Sequence, residues 1–267
     1  MQLVLTLRKT FLIFGFALAA FGCTANKDFD EVQEVLAVRY SYGANGELSA
    51  KTEYERDSRG NMTKWINYTA NGELADYSEF EHNSKGKMTK WSEYTANGEL
   101  SSYYEFEYDS KGNETRWRKY TANGELLYYC ELEYDSSGND TKWSYYHADG
   151  KLDYKVEREF DSKGKQTKSR EYTADGELHH YGENEYDSNG NQTKWSAYTA
   201  NGELIDYSEL EYDSSGNETK WSVYNADREL YFRLEREYDS NGNLTRESNY
   251  NANGELEKYT VYLYKSI

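Results

Sequence analysis

The sequence predicts an all-β protein: an antiparallel meander of about nine 26-residue hairpin repeats forming an extended, twisted or coiled repeat sheet. Three observations predict it. The motif Tyr-x-Ala-Asn/Asp-Gly-Glu-Leu starts at Tyr42, Tyr68, Tyr94, Tyr120, Tyr146, Tyr172, Tyr198, Tyr224 and Tyr250, always 26 residues apart. A period of this size marks a unit that cannot bury its apolar face alone and stacks on copies of itself. Each period also holds a second glycine turn, such as "DSRGN" at Asp57 or "DSSGN" at Asp135. The segments between turns are short, rich in Tyr, Trp, Thr and Glu, and free of helical periodicity, as strands of hairpins are.

The elements follow in chain order. Residues 1–22 read as a signal peptide: the basic pair Arg8 and Lys9 precedes an apolar run from Phe11 to Phe21 that is short for a bilayer span. The ending "AAFGC" resembles the lipobox of bacterial lipoproteins. That resemblance implies acylation of Cys23, a lipidated tether over 23–31, and, with Thr24 next in line, outer-membrane sorting. The repeat array occupies 32–267, with about 17 strands.

Within a repeat, "ANG" and "SSG" suit three-residue loops whose last residue takes positive φ, where glycine carries no Cβ penalty. Arg228 breaks this rule in "NADREL", so that turn is expected to be strained or differently shaped. Three-residue loops place Trp65 opposite Tyr77, with Thr63, Glu79 and Glu81 on the same face and Lys64, Tyr68, Leu74 and Phe80 on the other. The partners of two later tryptophans would then be basic, Lys155 and Arg233, as cation–π pairs.

Composition bounds what such a sheet can do. The chain has 29 Tyr, 6 Trp, no Pro and 30% charged residues, and a mean hydropathy of −1.07. Aromatic rings must therefore supply most of the apolar burial. Removing Arg8 and Lys9 takes the net charge from −17 to −19, which repels phosphate and argues against a nucleic-acid partner. After Cys23 only Cys130 remains, in a slot filled elsewhere by Ser78, Val156 or Leu234, and it reads as a packed thiol.

The stretches "EYDSSGNETKW" and "EYDSNGNQTKW" resemble the YD repeats of the RHS family, through Tyr108-Asp109, Tyr134-Asp135, Tyr186-Asp187, Tyr212-Asp213 and Tyr238-Asp239. Arg56, His82 and Phe160 depart from the Tyr slot, and Asn83 from the Asp slot. The "NGEL" half is similar to MORN-type repeats. In the large RHS proteins such repeats imply a curled β-shell around a C-terminal toxin; here the last repeat runs to Tyr264, so no cargo domain is expected.

Catalytic residues should differ from their surroundings, yet nearly every polar residue here is a copy of several others. No catalytic set and no cofactor is expected. His82, His147, His179 and His180 fill variable slots, and alternation along a strand would send His179 and His180 to opposite faces, against joint metal binding. "DSSGN" resembles the start of a calcium loop but its glycine comes too early, and an Asx turn explains the same residues. The sequence therefore points to a non-enzymatic, lipid-anchored envelope protein, held to the membrane by N-terminal acyl chains and using its repeat surface for protein or surface interaction. The alternative is a carbohydrate- or cell-wall-binding module. Its candidate stacking rings are Trp65, Trp91, Trp117, Trp143, Trp195 and Trp221, with Tyr77, Tyr103, Tyr129, Tyr181 and Tyr207.

Overall fold

Every connection between the described strands is one of two hairpin turns. A computed structural model describes residues 34–266; the segments expected to be a signal peptide (1–22) and a lipidated tether (23–31), with Cys23, lie outside the described residues. In the first turn type, the Thr69 N–H donates to the Glu73 carbonyl at 2.8 Å and the Gly72 N–H to the Thr69 carbonyl at 3.0 Å. Gly72 takes φ 80°, the left-handed position that ends a three-residue loop. In the second type, Asp57 Oδ1 accepts from the Arg59 and Asn61 N–H groups at 2.9 Å each, and Asn61 Nδ2 donates to Oδ2 at 2.9 Å. The carboxylate is thus consumed by its own turn, and these bonds, Asn61's side chain first, hold its pKa below the ordinary value.

A bulge follows each turn. Between β3 (Met62–Thr69) and β4 (Leu74–His82), Tyr68 pairs with Leu74 but Asn67 pairs with Asp76, which leaves Ala75 unopposed. Between β2 (Leu48–Arg56) and β3, Arg56 pairs with Met62 and Glu55 with Lys64, which leaves Thr63 unopposed. The repeated threonine has its explanation here: Thr89, Thr115 and Thr141 donate their hydroxyls to the carbonyls of Glu81, Glu107 and Glu133 at 3.3, 3.4 and 3.3 Å.

The three-residue loops match expectation, but the bulge shifts the register by one residue. Trp65 pairs with Ser78, and Tyr77 with Ile66. A shift of one residue sends side chains to the opposite face, so the Trp and Tyr columns lie on different sides of the sheet. Lys155 and Arg233 accordingly cover Tyr172 and Tyr250, at 4.7 and 4.5 Å, rather than tryptophans.

The extended or coiled sheet is overturned as well. Strand β1 (Glu34–Gly43) pairs antiparallel with β18 (Leu256–Ser266), from Glu34↔Ser266 to Gly43↔Lys258. Among the described residues, eighteen strands thus close into an antiparallel barrel without an open edge. Identical units rotate by identical amounts, and nine of them complete the circle. The register agrees: Ile66 leads across Tyr77 to Tyr94, two residues beyond its own equivalent Ser92. The seam repeats that stagger, from Ser248 across Tyr259 to Tyr42. Two residues per hairpin make the shear equal to the strand number, a relation that tilts strands by about 36°.

On one face, rings two strands apart meet: Trp65 and Trp91 at 6.0 Å, Trp117 and Tyr145 at 5.9 Å. Convergence of that kind belongs to a concave surface, so this face lines the lumen. The other face, with Lys64, Tyr77, Glu79 and Glu81, looks outward and makes its ion and ring contacts with adjacent strands. Each strand packs on its two ring neighbours, which leaves an interior roughly 30 Å across between opposing backbones.

Candidate functional site

The outer face is almost the same in every repeat. Lys64 binds Glu79 at 3.1 Å and covers the Tyr77 ring at 4.1 Å; Lys168 repeats this with Glu183 at 2.8 Å and Tyr181 at 4.2 Å. From the opposite side Tyr94 stacks on Tyr77 at 4.7 Å, and Tyr198 on Tyr181 at 5.0 Å. Tyr103, Tyr129 and Tyr207 sit in the same sandwich, between Tyr120, Tyr146 or Tyr224 and a cation. The basic column neutralises the glutamate columns beside it, as expected of a solvated ladder.

The lumenal face differs from repeat to repeat. Trp65, Trp91, Trp117, Trp143, Trp195 and Trp221 form a broken row on it, and Trp91 is buried. Trp143 donates from Nε1 to Asp140 at 2.8 Å and lies under the Arg158 guanidinium at 4.2 Å. Toward the NGEL rim runs a ring of facing pairs whose chemistry changes at nearly every hairpin. Asn67 faces Asp76, Glu93 faces Ser102, and Lys119 faces Tyr128. Tyr145 then stacks on Tyr154 at 4.3 Å, Glu171 faces His180, and Val223 faces Phe232.

Lumenal burial also perturbs ionisation. Asp140 and Glu218 pair with Arg158 and Arg236. Glu114 occupies the same slot, but Leu132 stands where the arginine would be. Burial pushes the Glu114 pKa up to about 7 against the opposing Lys87 charge. Burial likewise raises Asp206 to about 6. The fully buried Cys130 thiol is pushed well above its ordinary pKa, chiefly by desolvation.

The histidines do not all behave as alternation predicts. His82 lies in the lumenal Tyr slot and is lowered by burial, and the exposed His147 Nε2 is 3.5 Å from Asp153. His179, however, is the unopposed residue of the bulge between β11 (Gln166–Thr173) and β12 (Leu178–Tyr186). A bulge suspends alternation, and His179 and His180 both converge on Glu171. Burial lowers the His180 pKa, partly countered by the Glu171 charge. The adjacent histidines in a slot otherwise held by Ala75, Ser101 or Leu127 were the available signal; the bulge that unites them was not legible.

No family model matches the chain and no curated protein matches it, so the YD/RHS resemblance rests on the residues that carry it. Solved structures align with the chain at low identity. A porin-like protein from Bacteroides uniformis aligns with TM-score 0.49 at 10% identity, over 88% of this chain and 98% of that one. A porin-like protein from Bacteroides vulgatus aligns with TM-score 0.41 at 13% identity, over 86% and 99%. The TcdB2-TccC3 structure aligns with TM-score 0.36 at 13% identity, over 85% of this chain and 15% of that chain. The chain is thus similar, at low identity, to porin-like proteins and to one portion of a much longer chain.

Proposed function

We propose that the protein is a non-enzymatic, lipid-anchored component of a bacterial envelope whose barrel stands in water and recognises a partner protein through its lumenal wall. The observation that carries this reading is the division of labour between the faces. The outer columns are copied from repeat to repeat, whereas the lumenal ring from Asn67–Asp76 to Val223–Phe232 changes at nearly every hairpin. A scaffold is copied; a recognition surface is individualised. The outer Lys and Glu columns also oppose a lipid-facing role, since a basic residue at a bilayer midplane costs about 2–4 kcal/mol on a barrel's outer face.

Anchoring follows from the lipobox-like "AAFGC" with Cys23 as acceptor, and Thr24 supports outer-membrane sorting. A second reading, binding of cell-wall carbohydrate, is favoured by the row of tryptophans on the lumenal wall, because indole faces stack on sugar rings. Metabolic labelling with a palmitate analogue tests the anchor: label is expected on the native chain and lost in Cys23→Ala. Protease accessibility in intact and lysed cells then gives the membrane side. Quenching of tryptophan fluorescence by wall saccharides, with no proximity-labelled protein partner, would replace the first reading by the second.

A further inference from the structure

The hairpin of β11 and β12 holds a constellation found in no other repeat of the chain. Its three equivalent positions elsewhere read Asn67, Ala75, Asp76, or Glu93, Ser101, Ser102, or Val223, Tyr231, Phe232. Here they read Glu171, His179 and His180, and the bulge turns both imidazoles toward one carboxylate. His179 Nδ1 lies 3.1 Å from Glu171 Oε1 and 3.1 Å from His180 Nδ1, while His180 Nδ1 lies 3.6 Å from the same Oε1.

Those separations are the spacing of metal ligands. Two donors held about 2.0–2.1 Å from a tetrahedral zinc ion are roughly 3.3 Å apart. One ion therefore reaches all three atoms with little movement. The second carboxylate oxygen, Glu171 Oε2, is buried and makes no hydrogen bond, a costly state for an ionised group without a cation beside it. Glu171 and His180 are mostly buried, at 13% and 19% side-chain exposure, and His179 is open at 60%. The cluster is thus walled on one side and reachable from the other.

We propose that Glu171, His179 and His180 bind a single divalent transition-metal ion of the zinc class. Two imidazoles and a carboxylate are the donor set that suits such ions over calcium or magnesium. Three protein ligands leave a further coordination position for water or a donor group of the barrel's partner.

The test is a titration of the full-length protein in detergent, stripped with a chelator, with ZnCl2 at physiological ionic strength. Binding is read by calorimetry, and the same site is loaded with Co²⁺ to record its visible absorption. One tight equivalent is expected above the weak background of an acidic surface. His179→Ala and Glu171→Gln should each weaken that equivalent at least tenfold and abolish the cobalt bands. His147→Ala, in a different hairpin, should leave both unchanged. Circular dichroism confirms folding, and His179→Ala decides the matter if a change at His180 unfolds the hairpin, because the His179 ring is exposed. A tight equivalent that survives the His179→Ala, His180→Ala double substitution, or no saturable equivalent at all, overturns the proposal.

Discussion

Tyr42 of the first strand and Tyr259 of the last stack face to face, with centroids 4.9 Å apart and planes 16° from parallel. Tyr77 and Tyr94, neighbours inside the array, do the same at 4.7 Å and 8°. The junction that closes the barrel is therefore built from the same parts as the junctions inside it. At the Asp-turn rim Asn241 and Asn243 add bonds to Glu34 Oε2, at 3.2 and 2.9 Å.

A covalent bond can be trapped across that seam. Ser41 and Thr260 are directly opposed, with hydroxyls 3.5 Å apart. The Ser41→Cys, Thr260→Cys pair should oxidise within one molecule and migrate faster on a non-reducing gel. Closing so long a loop should add on the order of 3–5 kcal/mol of stability. An open ribbon would give intermolecular cross-links or none.

The turn at Arg228 keeps the shape of its relatives. Its N–H donates to the Asn225 carbonyl at 3.0 Å, as Gly72 does to Thr69. The cost appears in the backbone, at φ 66° on a residue with a Cβ. Arg228→Gly should stabilise the protein by about 1 kcal/mol, seen as a higher urea midpoint with an unchanged slope.

The carboxyl of Glu114 gives stability an inverted pH dependence. Its folded pKa is raised to about 7, so the folded chain keeps a proton that the unfolded chain releases from about pH 4.3 upward. The contribution is fully present below that point and is lost as pH rises through 7. Glu114→Gln should match the native chain at pH 4 and exceed it at pH 8 by on the order of 1–3 kcal/mol. Urea melts at the two pH values read the difference directly.

The Cys130 thiol should stay silent toward a disulfide reagent in the folded barrel. Its side chain is fully buried, and desolvation suppresses the thiolate that would attack. Labelling should appear only above the urea midpoint, at the rate of global unfolding. Fast labelling under native conditions would mean that the wall opens locally at this strand.

Much of the fold was legible because each residue type acted locally. Gly72 and its equivalents announced the loops, and the spacing announced the hairpins. The Asp57 and Asn61 pair announced an Asx turn rather than a calcium loop. The bulge at Ala75 was silent, because the slot accepts Ala, Leu, Asp, His or Ile and so carries no compositional mark. That one silent residue exchanged the faces of Trp65 and Tyr77 and hid the meeting of His179 with His180. Closure was silent for a different reason: the sequence fixes that all hairpins turn alike, and the size of that turn is set by packing on the concave side.

A wall made of equal steps has a consequence for evolution by duplication. Because the seam matches every other junction, loss or gain of one whole 26-residue unit preserves all pairings and changes only the circumference. Bore is therefore a countable trait in this architecture. Unequal crossing-over within the coding sequence could change the bore without altering the backbone pairing along the wall.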